Sequence, residues 1–216
     1  SCLVGSEMCI RDRYNSDTEQ ILSITKPIRV RGPLDRSAVI QGSGMVIGVG
    51  TNWAQVENFT LEYSGTMGML GQNSKLARSN LNVNGGLTLQ SASYAEVENN
   101  VFSTPSSLRA IQVLNSNTVT IKNNTLRDSI TGIQQTNSTD ILIENNIFET
   151  SIDLSGFSSS NLIRYNFLDD PQFVDSWHNY SLIPAYVNPA LGDFRLVGGS
   201  PGIAMGNPAR DYSAES

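Results

Sequence analysis

The chain has 216 residues, of which 39% are hydrophobic, 16% charged and 7% aromatic, and its net charge is −6. So few charges beside so many aliphatic residues favour a folded chain over a disordered one. The acidic balance argues against a nucleic-acid groove, which needs a concentrated basic face. No uncharged apolar run approaches the roughly 18 residues of a membrane-spanning helix. Ser (27) and Asn (21) abound, with only 3 Lys against 11 Arg. Both abundant types favour turns and caps over helix interiors, so the composition predicts many short strands joined by tight corners.

The first 13 residues stand apart. Cys2 to Arg13 resembles the translation of a transposase adaptor used in DNA sequencing libraries, and residues 1–13 are set aside as non-native on that resemblance. Both cysteines fall in this stretch, so their count is silent on disulfides and redox compartment. The natural N-terminus is then expected upstream, where a signal peptide would not be observable.

From Gln20 onward the chain repeats. Val56, Ala77, Val97, Ile121, Ile143 and Ile163 head the segments VENFTL, ARSNLN, VENNVF, IKNNTL, IENNIF and IRYNFL, at spacings of 21, 20, 24, 22 and 20 residues. Such a period, with β-rich runs and Asn-rich corners, is a solenoid signature. The Leu-x-x-Leu-x-Leu frame of leucine-rich repeats is absent, which leaves a parallel β-helix of about seven coils, each with about three short strands. Val119-x-Ile121 and Ile141-x-Ile143 alternate as half-buried strands do. Three residues after the anchors come Asn80, Asn100, Asn124, Asn146 and Asn166, with Phe59 in the first coil. Asn tolerates the left-handed conformation of a sharp corner, and stacked carboxamides can hydrogen-bond along the axis. The residues after the anchors, Glu57, Arg78, Glu98, Lys122, Glu144 and Arg164, alternate in sign. They are expected to form an exposed structural ladder of cross-strand pairs.

A second strand column runs through Ile47, Met67, Leu87, Ile111, Ile133 and Ile152. Its outward members are Gly48, Gly68, Thr88, Gln112, Gln134 and Asp153, a flat floor followed by amides and one carboxylate. Thr88, Gln112, Gln134 and Asp153 are the candidate substrate-binding residues, since hydroxyls and amides can orient a sugar chain. Asp153, Asp169 and Asp170 are the candidate catalytic carboxylates, because paired acids about 5–9.5 Å apart define glycoside chemistry. The Asp169–Asp170 pair precedes Pro171, where Asp also forms turns. His178, the single histidine, lies between Trp177 and Asn179 and is expected to be a surface or packing residue rather than a base. No metal site and no cofactor are expected. Calcium suits carboxamide and carboxylate oxygens, but no adjacent rungs supply two carboxylates.

Residues 24–32 (ITKPIRVRG) and 38–44 (AVIQGSG) resemble the first coils of right-handed parallel β-helix proteins, nearest to the NosD-like copper-processing and pectate-lyase-like superfamilies. The V-x-N-N-x-F coils, the exit motif DPQFVD at 170–175, GDFRL at 192–196 and GSPGIAMG at 199–206 extend the resemblance. Where kin often carry Ile-Asp-Ala-Gly, this chain has Ile203-Ala204-Met205-Gly206, so a carboxylate role there is lost. The resemblance implies an all-β, right-handed solenoid over residues 14–168 with a C-terminal cap over 169–216, covering the open end of the stack. It further implies an extracellular or cell-surface location, or a periplasmic one. The fold hosts lyases, hydrolases, adhesins and spikes alike, and the polygalacturonase signatures are missing apart from the Asp pair. The expected role is therefore structural, adhesive or glycan-binding, with polysaccharide or cell-surface glycan as partner and neither nucleic acid nor a membrane span. The alternative is the C-terminal part of a polysaccharide lyase or hydrolase whose catalytic coils lie upstream.

Overall fold

The computed structural model describes residues 2–4, 7–9, 14–16, 21–42, 46–105, 107–153, 157–168, 177–182, 184–191 and 193–209. Short strands separated by corners stack in register into three parallel sheets, so that the chain winds as an all-β solenoid of about six turns. The first sheet holds Arg29–Arg31, Gln55–Glu57, Lys75–Ala77, Glu96–Glu98, Thr120–Lys122, Leu142–Glu144 and Leu162–Arg164. The second runs from Tyr14–Ser16 through Val39–Gly42, Thr60–Tyr63, Asn80–Val83, Val101–Ser103 and Thr125–Arg127 to Ile147–Phe148. The third runs from Ile21–Ile24 through Val46–Val49, Met67–Met69, Leu87–Gln90, Arg109–Leu114 and Thr131–Thr136 to Ser151–Asp153. Each coil visits the first, second and third sheets in turn. At its N-terminal edge the first sheet also pairs with the backbone of Glu7–Cys9, inside the segment set aside on sequence.

Alternation decides which side chains meet inside. Val56, Leu76, Val97, Ile121 and Ile143 fill one wall, and Leu61, Leu81, Phe102, Leu126 and Phe148 the second. The third contributes Met67, Met69, Leu87, Leu89, Ile111, Val113 and Ile133. All are buried, and together they form one continuous core. Ile163, the last of the repeat anchors, is only partly buried against it, because it lies in the last strand of its sheet.

Three expectations about the corner and the ladder need correction. The first-sheet partner of Val56 and Val97 is Leu76, not Ala77. Leu76 and Ala77 are both buried, so the apolar pattern alone does not fix the register there. The column after the anchors therefore reads Glu57, Ala77, Glu98, Lys122, Glu144, Arg164, and the sign alternation breaks at Ala77. Nor is this ladder exposed: Glu57 is 3%, Glu98 8% and Glu144 0% accessible. Basic side chains lie over the carboxylates instead. Lys75 fills the gap at Ala77 by reaching Glu98 Oε1 at 2.5 Å and Glu96 Oε2 at 3.1 Å, and Lys122 Nζ meets Glu98 Oε2 at 3.0 Å. Arg29 and Arg78 both pair with Glu57, and Arg164 Nε lies 2.7 Å from Glu144 Oε2. Burial would raise the Glu98 pKa, but hydrogen bonds and charges from Lys75 and Lys122 outweigh it and hold the carboxyl below its ordinary value. Glu57 is lowered in the same way, burial being outweighed by Arg29 and Arg78.

The corner between the first and second sheets divides its work between two residues. The left-handed position is occupied by Asn58, Arg78, Asn99, Asn123, Asn145 and Tyr165, each with φ between 49° and 63°. The following residue is the one that stacks inward. There Ser79, not Asn80, precedes Asn100, Asn124, Asn146 and Asn166. Each Asn Oδ1 accepts the backbone N–H of the preceding rung at 2.8–3.0 Å, and the carboxamides chain together at 3.0–3.1 Å. Buried Asn179 adds another rung, accepting from Asn166 N and Nδ2 at 3.0 Å each. Before it His178 takes the left-handed conformation (φ 60°) and its exposed ring stacks on Tyr165 at 4.9 Å.

Beyond the coils, Tyr186–Asn188 and Asp193–Leu196 form an antiparallel hairpin around a 3-10 turn, Pro189–Leu191. Asn207 donates from Nδ2 to buried Glu144 and from its backbone N–H to Asn145, at 2.9 Å each.

Candidate functional site

The outward stripe of the third sheet is in register: Gly48, Gly68, Thr88, Gln112, Gln134 and Asp153 are successive partners. Ser23 continues it beyond Gly48. Behind it Met67, Met69, Leu87, Leu89, Ile111 and Ile133 of the same strands are buried in the core. The Thr88 hydroxyl and the Gln112 carboxamide face outward and make no hydrogen bond to any described residue. Asp153 occupies the column after a register irregularity, and its side chain lies outside the described residues. Asp169 and Asp170 lie outside the described residues altogether.

Beside Gln112 the surface dips into a cleft of about 190 Å³, lined by Asn84, Gly85, Ser107, Leu108, Arg109 and Gln112. Two local features make it. Gly86 is left-handed (φ +68°), and a Cβ there would lie 2.3 Å from the Arg109 carbonyl, so only glycine lets the rungs close up. In Arg109–Leu114 both Ala110 and Ile111 are buried, which breaks the alternation and brings Arg109 and Gln112 out together. The Arg109 N–H donates to Ser107 Oγ at 3.1 Å, fixing the strand entry. Arg109 forms no ion pair among the described residues. The cleft thus offers a cation, two amides and a hydroxyl, and no acid beside a base.

A second depression lies on another edge, the corner between the first and second sheets. It is a groove of about 1100 Å³ floored by Asn80, Asn99, Asn100 and Asn123. One wall is the loop bearing Leu34 and Arg36, the other the hairpin with Leu191, Phe194 and Arg195. Among the described residues no cluster of three His, Cys, Asp or Glu side chains could hold a metal ion. No helix among them is long and apolar enough to cross a membrane.

A family model described as the right-handed β-helix region matches residues 44–172, more than half of the chain. The chain belongs to the right-handed β-helix family. No curated protein matches it. In this β-helix Arg109, Asn84, Arg36 and Arg78 went unnoticed as site residues in the sequence. Gln135 was also passed over: it points inward, 2% accessible, its Oε1 accepting Ser138 N–H at 3.1 Å. Its one sequence signal is a polar residue at an inward strand position.

Proposed function

We propose that this β-helix holds a glycan chain without cleaving it, as a module of a secreted or surface-exposed protein, with the third-sheet stripe as its contact face. The observation that carries the reading is the outward column in which the paired Thr88 and Gln112 present hydrogen-bonding groups that no described residue uses. The rungs repeat at about 4.8 Å, so a linear ligand along the axis meets polar groups at regular intervals. Arg109 adds a cation beside the column, and Gly48 and Gly68 leave it flat enough for close approach. Nothing among the described residues of the cleft supplies the acid–base pair that bond cleavage needs.

A glycan array followed by calorimetric titration tests this, with reducing-sugar and unsaturated-product assays run alongside. Gln112→Ala and Arg109→Ala are each expected to weaken binding about five- to tenfold, the loss of one hydrogen bond or charge-assisted contact. Turnover that disappears in Asp153→Asn would make the protein an enzyme. Binding indifferent to both alanine variants would move the contact face off the stripe.

A further inference from the structure

We infer that the corner groove between the first and second sheets is a second ligand site, in which Arg36 and Arg78 receive a carboxylate or sulfate oxyanion. The argument starts from charge. The protein carries a net −6, yet Arg29, Arg31, Arg36 and Arg78 gather at this corner. Three of them share one carboxylate: Arg29 and Arg78 pair with Glu57, and Arg31 Nε stands 3.7 Å from it. Arg36 forms no ion pair among the described residues. Asp35, its neighbour in sequence, accepts the Ser37 N–H at 3.0 Å, and Asp193 is held by Arg195 at 2.6 Å.

Arg36 is also held in place. It is left-handed (φ 58°), a strained conformation for a long side chain. Its carbonyl accepts Thr60 Oγ1 at 3.0 Å, and Nη1 donates to Asn80 Oδ1 at 2.8 Å. A guanidinium has five N–H donors, so these contacts orient the group and leave donors for a planar oxyanion. Burial first, and then the Arg78 charge, lower its pKa, with no carboxylate acting in the opposite sense. An anion in the groove would offset both by favouring the charged guanidinium. The floor of Asn99 and Asn123 and the rim of Leu34 and Leu191, 77% and 83% exposed, suit a ligand longer than the oxyanion itself. The site lies on a different edge from the stripe, so the two stand or fall separately.

The test titrates the whole chain with three trisaccharides of equal length, one carrying a uronate, one a sulfate ester and one neutral, and with inorganic phosphate. Each is run at about 20 and about 150 mM NaCl. Binding of a charged trisaccharide that weakens with salt, and weakens at least about tenfold in Arg36→Gln, is expected. Leu191→Glu sets a carboxylate at the rim without touching the core, and is expected to reduce the same binding with the melting temperature unchanged. Gln112→Ala is expected to leave it intact, whereas that variant weakens binding at the stripe. Tighter binding of one charged trisaccharide names the group as carboxylate or sulfate ester, and phosphate binding shows that the oxyanion alone suffices. Charged ligands that fail to bind, or bind equally well to Arg36→Gln and Leu191→Glu, would overturn the inference.

Discussion

Replacing Asn124 with alanine should destabilise the solenoid far more than replacing an exposed asparagine. Asn124 is 1% accessible and uses its carboxamide in full. Nδ2 donates to Val97 O and Lys122 O at 2.9 Å each and to Asn146 Oδ1 at 3.0 Å, while Oδ1 accepts Asn100 N and Nδ2 at 3.0 Å each. In the alanine variant Asn146 Oδ1 keeps the residue-124 backbone N–H, and Asn100 Nδ2 keeps Leu76 O. The Asn100 backbone N–H loses its ladder acceptor inside a buried corner, costing roughly 1–3 kcal/mol, and the other lost bonds add about 1 kcal/mol. The expected total is about 3 kcal/mol. Asn82→Ala, at an exposed strand position, should stay within about 0.5 kcal/mol of wild type. Asn124→Asp separates shape from chemistry, since its carboxylate would face three acceptors with nothing to donate. At neutral pH it should be worse than alanine, with its folded pKa raised above the unfolded value. That deficit should shrink as the pH falls through the raised folded pKa, where the protonated acid can donate again, and should be fully relieved below the unfolded Asp pKa of about 3.9. Urea unfolding followed by far-UV circular dichroism at both pH values measures all four proteins. Asn124→Ala within 0.5 kcal/mol of Asn82→Ala would refute the account.

Lys122→Glu should cost about 2 kcal/mol, between an exposed and a buried pair, because it sets an acid between buried Glu98 and Glu144; thermal melts read it. Trp53→Asn should leave stability unchanged or raise it by up to about 1 kcal/mol, since Trp53 is left-handed (φ 66°) and 66% exposed where Asn73 holds the equivalent corner one rung on; a fall in melting temperature would count against that corner geometry. Glu57 and Glu98 have folded pKa values below their ordinary 4.5, so their stabilisation is present above that pH and is lost as pH falls through the lower folded values. Acid unfolding monitored from pH 6 to 2 should steepen below about pH 4.5, and Glu98→Gln should flatten the profile.

The period, the three-sheet winding and the third-sheet column were legible because β-branched and aliphatic residues recur where the core needs them. The first-sheet register slipped at one rung because Leu76 and Ala77 are both apolar and both buried. Choosing Ala77 put Arg78 in the charge column, although Arg78 turns the corner and returns to Glu57 from outside it. The burial of Glu57, Glu98 and Glu144 was hidden for a related reason: Lys75 covers Glu98 from a different column. Asn179 escaped the repeat because it follows Asn166 by 13 residues, outside the 20 to 24 that the period allows. Neither depression has a local signature. Arg36 meets Asn80 from 44 residues away, and Asn84 meets Arg109 only when successive coils stack.

The asparagine stack has a direction. From Asn100 through Asn124, Asn146 and Asn166 to Asn179, every Nδ2 donates to the Oδ1 of the rung that follows. The amide dipoles therefore lie head to tail, as peptide units do in an α-helix, with the electropositive pole toward the C-terminal end. Each rung polarises its neighbours, so a central amide is worth more than one at either end. The fold consequently carries an axial polarity that its short strands, wound around the three walls, would not supply. A coil appended after Asn179 would meet that positive pole, and an acceptor side chain such as another asparagine would be the natural continuation.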